Sequence, residues 1–256
     1  MTQGKTKVLV IGDGCKDVFQ YGKCERLSPE APVPVFKPIK ATNNGGMAVN
    51  VYNNLIALGV DCDIITNSGI TKTRYVDEVS NQMLLRIDEN DSINQITQEE
   101  CEKINFNDYA AVVISDYNKG YLDVHDIMWI VDNHPLTFID TKKELGGWCD
   151  DIKFIKINNK EFKANEDYLR NYYNGNLIVT KGKEGAILNH DEVFPIEEEH
   201  DVRDLSGAGD TFLAGLVADY IKNNDIRSAI KFANKCSAWV VTQKGVVVVD
   251  LNKVRL

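Results

Sequence analysis

The stretch DLSGAGDTFLAGL, residues 204–216, sets three small residues directly before an acid and then opens an apolar run. Phe212, Leu213, Leu216, Val217, Tyr220 and Ile221 recur at helical spacing, which predicts a helix from Ala208 to Lys222. Gly207, Ala208 and Gly209 give its first turn almost no side-chain bulk. Free amides at a helix start point outward and the helix dipole adds partial positive charge, so an anion can sit against bare backbone there. Asp210 then stands beside that anion, an unfavourable placement unless the carboxylate has chemical work such as accepting a proton. A plainer reading takes the glycines as a helix opening and Asp210 as a partner of the dipole. Both fit GAGD taken alone, and the rest of the chain has to separate them.

Outward from this turn, short apolar runs alternate with helical patterns. KVLVIG (7–12), CDIIT (62–66), AAVVIS (110–115), LTFID (136–140), KFIKI (153–157) and NLIVT (176–180) read as strands. AVNVYNNLIALG (48–59), VHDIMWIVDN (124–133) and a polar segment near 159–172 read as helices. Such alternation predicts an α/β fold with a largely parallel central sheet. Ligands gather at the carboxyl ends of strands in these sheets, so the closing residues Asp13, Asp116, Asp140, Asn158 and Thr180 become informative. PEAPVPVFKPIK, 29–40, packs four prolines into an extended, edge-like segment. TKTRYVDEVSNQMLLRID, 71–88, alternates after Arg74 and is expected to pair with it, making a small sheet outside the main layer that serves as a lid.

At 256 residues the chain can bury a sizeable core, and one domain with a small appendage is the natural expectation. It is 43% hydrophobic and 26% charged, as an ordinary soluble protein is. A net charge of −9 and a pI near 5.0 speak against a nucleic-acid binder, which needs a basic stripe. The six cysteines show no C-x-x-C pair and the four histidines no H-E-x-x-H, so a zinc site is not expected. Scattered thiols fit a reducing cytosol. The opening residues are too short in apolar content for a secretory leader, and no run approaches membrane-spanning length. A cytoplasmic protein is expected.

Two nucleotide-motif fragments fail on context. GKT (4–6) precedes the first strand and lacks the upstream glycine of a phosphate loop, and Gly12-x-Gly14 lacks the third glycine of a dinucleotide fingerprint. NNGGMAVN (43–50) is stronger. Gly45 and Gly46 open the first helix in this reading and let a ligand approach the backbone, with Asn50 one turn in to bond a sugar hydroxyl. Taken alone, the stretch reads better as a simple helix start with Asn50 on a solvated face.

GGMAVNVYNNLIALG and DLSGAGDTFLAG together resemble the two signatures of the ribokinase (PfkB-type) carbohydrate kinases, in the expected order. VIGDGCKDVFQYGKCERLSPEAPVPV (10–35) resembles the opening of the heptose-7-phosphate kinases, with their R-x-S-P-E-A-P-V-P run. SDYNKG (115–120), NQMLLRID (81–88), IDTK (139–142) and INNKEF (157–162) resemble that subgroup in order. The resemblance implies a ribokinase-like three-layer α/β/α fold with a small β lid (segments about 16–40 and 71–88) in one kinase domain over 1–256. It implies transfer of the ATP γ-phosphoryl group to O1 of D-glycero-β-D-manno-heptose 7-phosphate.

Site residues follow from the same resemblance. Asp210 matches the catalytic base, beside the amides of Gly207, Ala208 and Gly209. Asn158 and Glu161 match the N-x-x-E element that holds Mg2+, and three residues apart on a helix they share a face. Thr180, Lys181 and Gly182 match the turn lining the ATP site, and Asn234 a position near the adenine. Asp17, Gly45, Gly46 and Asn50 match sugar contacts, and Asp116, Lys119 and Lys142 positions facing the sugar phosphate. A monovalent cation is a further cofactor that the resemblance allows. Lone cations such as Lys119, Lys142 and Arg86 also fit solvated surface charge, Glu161 alone fits helix surface, and Asp13 fits a turn cap as well as a ligand contact.

The chain departs from the pattern after CDIIT, where NSGI leads straight to TKTRYV and a helix and a strand are missing. That loss exposes apolar surface unless something covers it, and a homodimer closed through the lid is the expected remedy. The adenylyltransferase domain fused to some heptose kinases is not expected either. Two rivals stand beside the heptose reading: a kinase of the same fold for another sugar, and a catalytically silent sugar or nucleotide sensor. Retention of Asp210, Asn158 and Glu161 speaks against the second.

Overall fold

A computed structural model describes residues 6–197 and 201–254. Gly4 and Lys5 of the GKT stretch, and His200, lie outside the described residues. The chain opens with β1 (Val8–Gly12), whose five residues are all buried. Val8 and Val10 face one apolar cluster while Leu9 and Ile11 face another, so this strand is covered on both sides as parallel strands must be. Two long strands follow, β2 (Gly14–Leu27) and β3 (Pro34–Met47), and then helix α1 (Ala48–Ala57). Next come β4 (Cys62–Thr66), β5 (Thr71–Asp77), β6 (Met83–Glu89) and the short α2 (Gln98–Glu102).

The second half repeats strand and helix: β7 (Ala111–Asp116), α3 (Val124–Asn133), β8 (Thr137–Thr141) and β9 (Phe154–Asn158). Helices α4 (Asn159–Ala164) and α5 (Glu166–Asn171) precede β10 (Asn176–Thr180), β11 (Ala186–Leu188) and β12 (Glu192–Phe194). The described chain closes with α6 (Ala208–Asn223), α7 (Ile226–Val240) and α8 (Leu251–Val254). The main sheet runs β12-β11-β10-β9-β8-β7-β1-β4, parallel from β10 to β4 and antiparallel at the β11 and β12 end. One apolar cluster joins it to α1, α6 and α7, and the other to α2, α3 and α5, so helices layer both faces. All six cysteines are free.

The small sheet has the order β3-β2-β5-β6, and this corrects the expected pairing. Strand β5 pairs with β2 in parallel and with β6 antiparallel, so β2 stands between it and the Pro-rich strand. The proline-bearing β3 is an edge, where missing N–H donors do least harm. Residues 45 and 46 also differ from expectation: they finish β3, and the helix begins at Ala48. The polar segment 159–172 is two helices rather than one. Asn165 breaks it because its side chain donates to the Glu161 carbonyl at 2.9 Å and accepts from the Leu145 amide at 2.8 Å.

Candidate active site

Gly207 begins the site as the N-cap of α6, with φ at 79° in the left-handed region that glycine tolerates. A Cβ there would lie 2.7 Å from Asn50 Nδ2, so any side chain at 207 would push Asn50 away. Asn50 uses that space to donate to Asp210 Oδ2 at 3.0 Å. Asn54 holds it, donating to Asn50 Oδ1 at 3.0 Å while accepting from the Val249 amide at 3.0 Å. Tyr117 donates its hydroxyl to Asp210 Oδ1 at 2.7 Å. The Asp210 carboxyl is thus fixed through both oxygens and buried. Burial pushes it up to about 6, against the downward pull of the Tyr117 and Asn50 hydrogen bonds, and the charge of Asp140 adds to the rise. The expected amide cradle is modified: Ala208 N–H donates to the Leu205 carbonyl at 3.3 Å. Those of Gly209 and Asp210 meet no protein acceptor among the described residues.

The small sheet carries a second group of the expected residues. Asp17 of β2 is buried and its Oδ1 lies 2.5 Å from Arg74 Nη1 of β5, whose guanidinium stacks 5.1 Å from the Phe19 ring centroid. Gly46 lies opposite Cys15 in the β2–β3 register, and a Cβ on it would meet Asp17 Oδ2 and Cys15 Sγ, each at 2.6 Å. Gly45 is packed under Val49, 2.1 Å from its would-be Cβ. Asn44 reaches across to the Val246 carbonyl at 2.9 Å, tying the small sheet to the main body.

Asp13 caps a remote loop and not the turn after its own strand. Its carboxylate accepts from the amides of Tyr117, Lys119 and Tyr121 at 2.7, 3.1 and 3.3 Å, holding the loop that presents Tyr117. Asp116 is enclosed by the Thr141 hydroxyl at 2.5 Å and Lys143 Nζ at 2.8 Å, and Lys119 pairs with Asp91.

Lys142 turns toward Asp140 and Glu161. Its Nζ is 3.3 Å from Asp140 Oδ1, bonds Glu161 Oε1 and sits 5.4 Å from the Tyr117 ring centroid. Asp140 Oδ2 in turn holds Lys156 Nζ at 2.5 Å. Burial pushes the Asp140 carboxyl up, but the two ammoniums outweigh it and hold it below the usual carboxylate value. Asn158 is the N-cap of α4 and Glu161 its third residue, joined in a reciprocal capping box. This corrects the shared helix face, because Asn158 precedes the helix and its amide bonds Glu161 Oε1 at 2.7 Å.

The metal-binding potential of this corner is modest. No group of three or more His, Cys, Asp or Glu among the described residues could hold an ion. One carboxylate and one amide oxygen suit magnesium, which keeps most of its waters and leans on substrate phosphates. Thr180 closes β10 beside Asn158, followed by the turn Lys181-Gly182 with φ at 59° and open space above Gly182. Asn234 is buried against the Phe194 carbonyl at 2.8 Å and lines a cavity of about 310 Å³ with Pro195, Glu197, Lys235 and Trp239.

The family description "pfkB family carbohydrate kinase" matches residues 51–252. The chain belongs to this family. Among curated proteins it is 29% identical over 300 residues to the "bifunctional protein HldE" of a Nitratiruptor species, covering 98% of this chain and 64% of the relative. The protein of that name from Helicobacter acinonychis (strain Sheeba) is 30% identical over 308 residues, covering 98% and 66%. The chain thus spans about two thirds of the length of these relatives. Both alignments exceed its 256 residues, so the relatives carry residues inside the matched span that this chain lacks. Solved structures share the fold. A Thermotoga maritima ribokinase superimposes with a TM-score of 0.74 at 16% identity, covering 97% of each chain. An Arabidopsis thaliana ribokinase complexed with ribose and ATP gives 0.72 at 12% identity, covering 97% of this chain and 98% of that one.

In this pfkB-family kinase the structure joins Asp210, Gly207 and Asn50 at the start of α6, and Gly46 with Asp17 in the small sheet. Lys142 joins the Asp140–Glu161 corner, while Asp116 and Lys119 are engaged with Lys143 and Asp91. Sequence reading missed Tyr117, Asn54, Arg74, Lys143 and Lys156. Lys156 carried a usable signal, a lone cation inside the doubly buried run FIKI. No helix among the described residues is long and apolar enough to cross a membrane.

Proposed function

We propose that this kinase phosphorylates a sugar phosphate, D-glycero-β-D-manno-heptose 7-phosphate at O1, with residues 1–256 acting as one kinase domain under a lid of segments 16–40 and 71–88. The observation that carries it is Asp210: a buried carboxyl with a pKa of about 6, fixed by Tyr117 and Asn50 beside two free amides. The hydroxyl oxygen bonds to the γ-phosphorus as the bond from that phosphorus to the leaving ADP oxygen breaks, and the hydroxyl proton passes to Asp210. The amides of Gly209 and Asp210 face the charge on the moving group. Asn158 and Glu161 would hold magnesium largely through water; when bound, it neutralises phosphate charge. Thr180, Lys181, Gly182 and Asn234 line the nucleotide side, and Asp17, Gly45, Gly46 and Asn50 the sugar side. The heptose assignment rests on the R-x-S-P-E-A-P-V-P run, Arg26 to Pro34. ADP release measured over a panel of free and phosphorylated sugars tests it; preference for an unphosphorylated sugar overturns the heptose assignment.

We also infer a homodimer through the lid. Met83, Leu85 and Ile87 alternate along β6 and are 53%, 55% and 40% exposed, on an edge strand open to pairing. Light scattering at micromolar concentration should give twice 28.7 kDa, and a monomer with full specific activity overturns it.

A further inference from the structure

Lys156 is a buried cation where a largely apolar layer meets the buried carboxyls of Asp140 and Asp210. Phe154, two residues earlier on the same face of β9, stacks on Phe138 at 4.5 Å and packs against Tyr220 of α6 at 4.7 Å. Placing an ammonium in such a layer costs desolvation free energy that a single carboxylate rarely offsets. The Lys156 side chain is 4% exposed, and its only polar partner among the described residues is Asp140. An ammonium has three donors, so two remain unmet. Their position is telling: Nζ lies 3.1 Å from where a Cβ on Gly209 would stand. It therefore occupies the space left by the missing side chain in the first turn of α6, the turn in which the Gly209 and Asp210 amides meet no protein acceptor among the described residues. An ammonium beside a positive helix terminus draws anionic groups to that turn.

We infer that Lys156 is a further catalytic residue, whose ammonium binds a non-bridging oxygen of the phosphoryl group in transit while Asp140 positions it. This rests on the kinase reading above. Asp140 suits the positioning role because its second oxygen is engaged by Lys142, which continues to Glu161. One chain of alternating charges thus runs from the free amides of α6 to the candidate metal corner. A purely structural ion pair would need no lysine aimed at the bare turn, and any charge-paired arrangement in the apolar layer would serve.

The test uses ADP with aluminium fluoride and magnesium, a mimic of the phosphoryl group in flight, alongside turnover. In Lys156→Met, ADP alone should bind as in the wild type, whereas the tightening by aluminium fluoride should fall by roughly 100-fold. Turnover should drop by roughly 10²–10³-fold, the usual loss for one donor to a transition-state oxygen, with partial recovery in Lys156→Arg. Should the single variant fold poorly, Asp140→Asn/Lys156→Met removes both charges and carries the same expectation. Unchanged aluminium fluoride tightening in a folded variant, or a loss of ADP affinity as large as the loss of tightening, overturns the assignment. A wild type that itself shows no tightening overturns the kinase reading and this inference with it, so the two failures are distinguishable.

Discussion

Asp210→Asn separates the chemical role of this residue from its structural cost. In the folded protein its carboxyl titrates at about 6 against an ordinary 3.8, a difference of about two units. At 1.36 kcal/mol per unit, carrying the charge in the folded state costs about 3 kcal/mol. The sign follows from proton binding. Between pH 4 and 6 the folded protein holds a proton that the unfolded chain has released, so stability falls as pH rises through that window and stays lowered above it. Asparagine has no charge to carry and fits the same neighbours, accepting from Asn50 and donating to the Tyr117 oxygen. The variant should therefore be more stable than wild type by up to about 3 kcal/mol at pH 8, a midpoint rise of roughly 6–12 °C. At pH 4 the gain should vanish. Turnover should fall by roughly 10²–10⁴-fold, because the hydroxyl proton has no acceptor. Urea unfolding at pH 4 and pH 8, with ADP release at pH 8, measures both. A variant no more stable at pH 8 than wild type, or one with near wild-type turnover, refutes the reasoning.

Tyr117→Phe removes a hydrogen bond that holds the Asp210 carboxyl down, so the acid limb of kcat/KM should move to higher pH by roughly one unit; an unmoved limb in a pH–rate profile removes Tyr117 from the base. Glu161→Gln should raise the magnesium concentration needed for half-maximal rate, read by metal titration, and an unchanged curve leaves Glu161 as a helix cap and partner of Lys142 alone. Gly46→Ala drives a methyl against Asp17 and Cys15, so the KM for the sugar should rise by roughly tenfold with less effect on ATP; equal effects on both substrates would place the damage outside the sugar side.

Much of the main sheet was readable because each buried strand is a short apolar run closed by a polar residue, and local pattern suffices for that. Runs 7–12, 62–66, 110–115, 136–140, 153–157 and 176–180 all became, to within a residue at each end, parallel strands of one sheet. The lid was less legible. Strand β2 mixes glycine, lysine and cysteine without clean alternation, so its place between β3 and β5 depends on long-range pairing that no local window contains. The break at Asn165 was hidden for the same reason, since its cause is a bond to Leu145 twenty residues away.

By itself the sequence determined the fold class, the bare glycine turn and the acid that follows it, because backbone bulk and strand patterning are written locally. It also paired Asn158 with Glu161, though on a shared helix face, where the structure makes them the two halves of a capping box. Only the tertiary structure decided what surrounds Asp210. Asn50 lies 160 residues away in sequence and Tyr117 lies 93 away, yet together they fix its two oxygens. Only there, too, does Lys156 meet Gly209, through the packing of α6 on β9. A carboxyl's pKa and an ammonium's aim depend on burial and on distances of a few ångströms between remote segments. Folding sets those quantities, and no stretch of sequence states them.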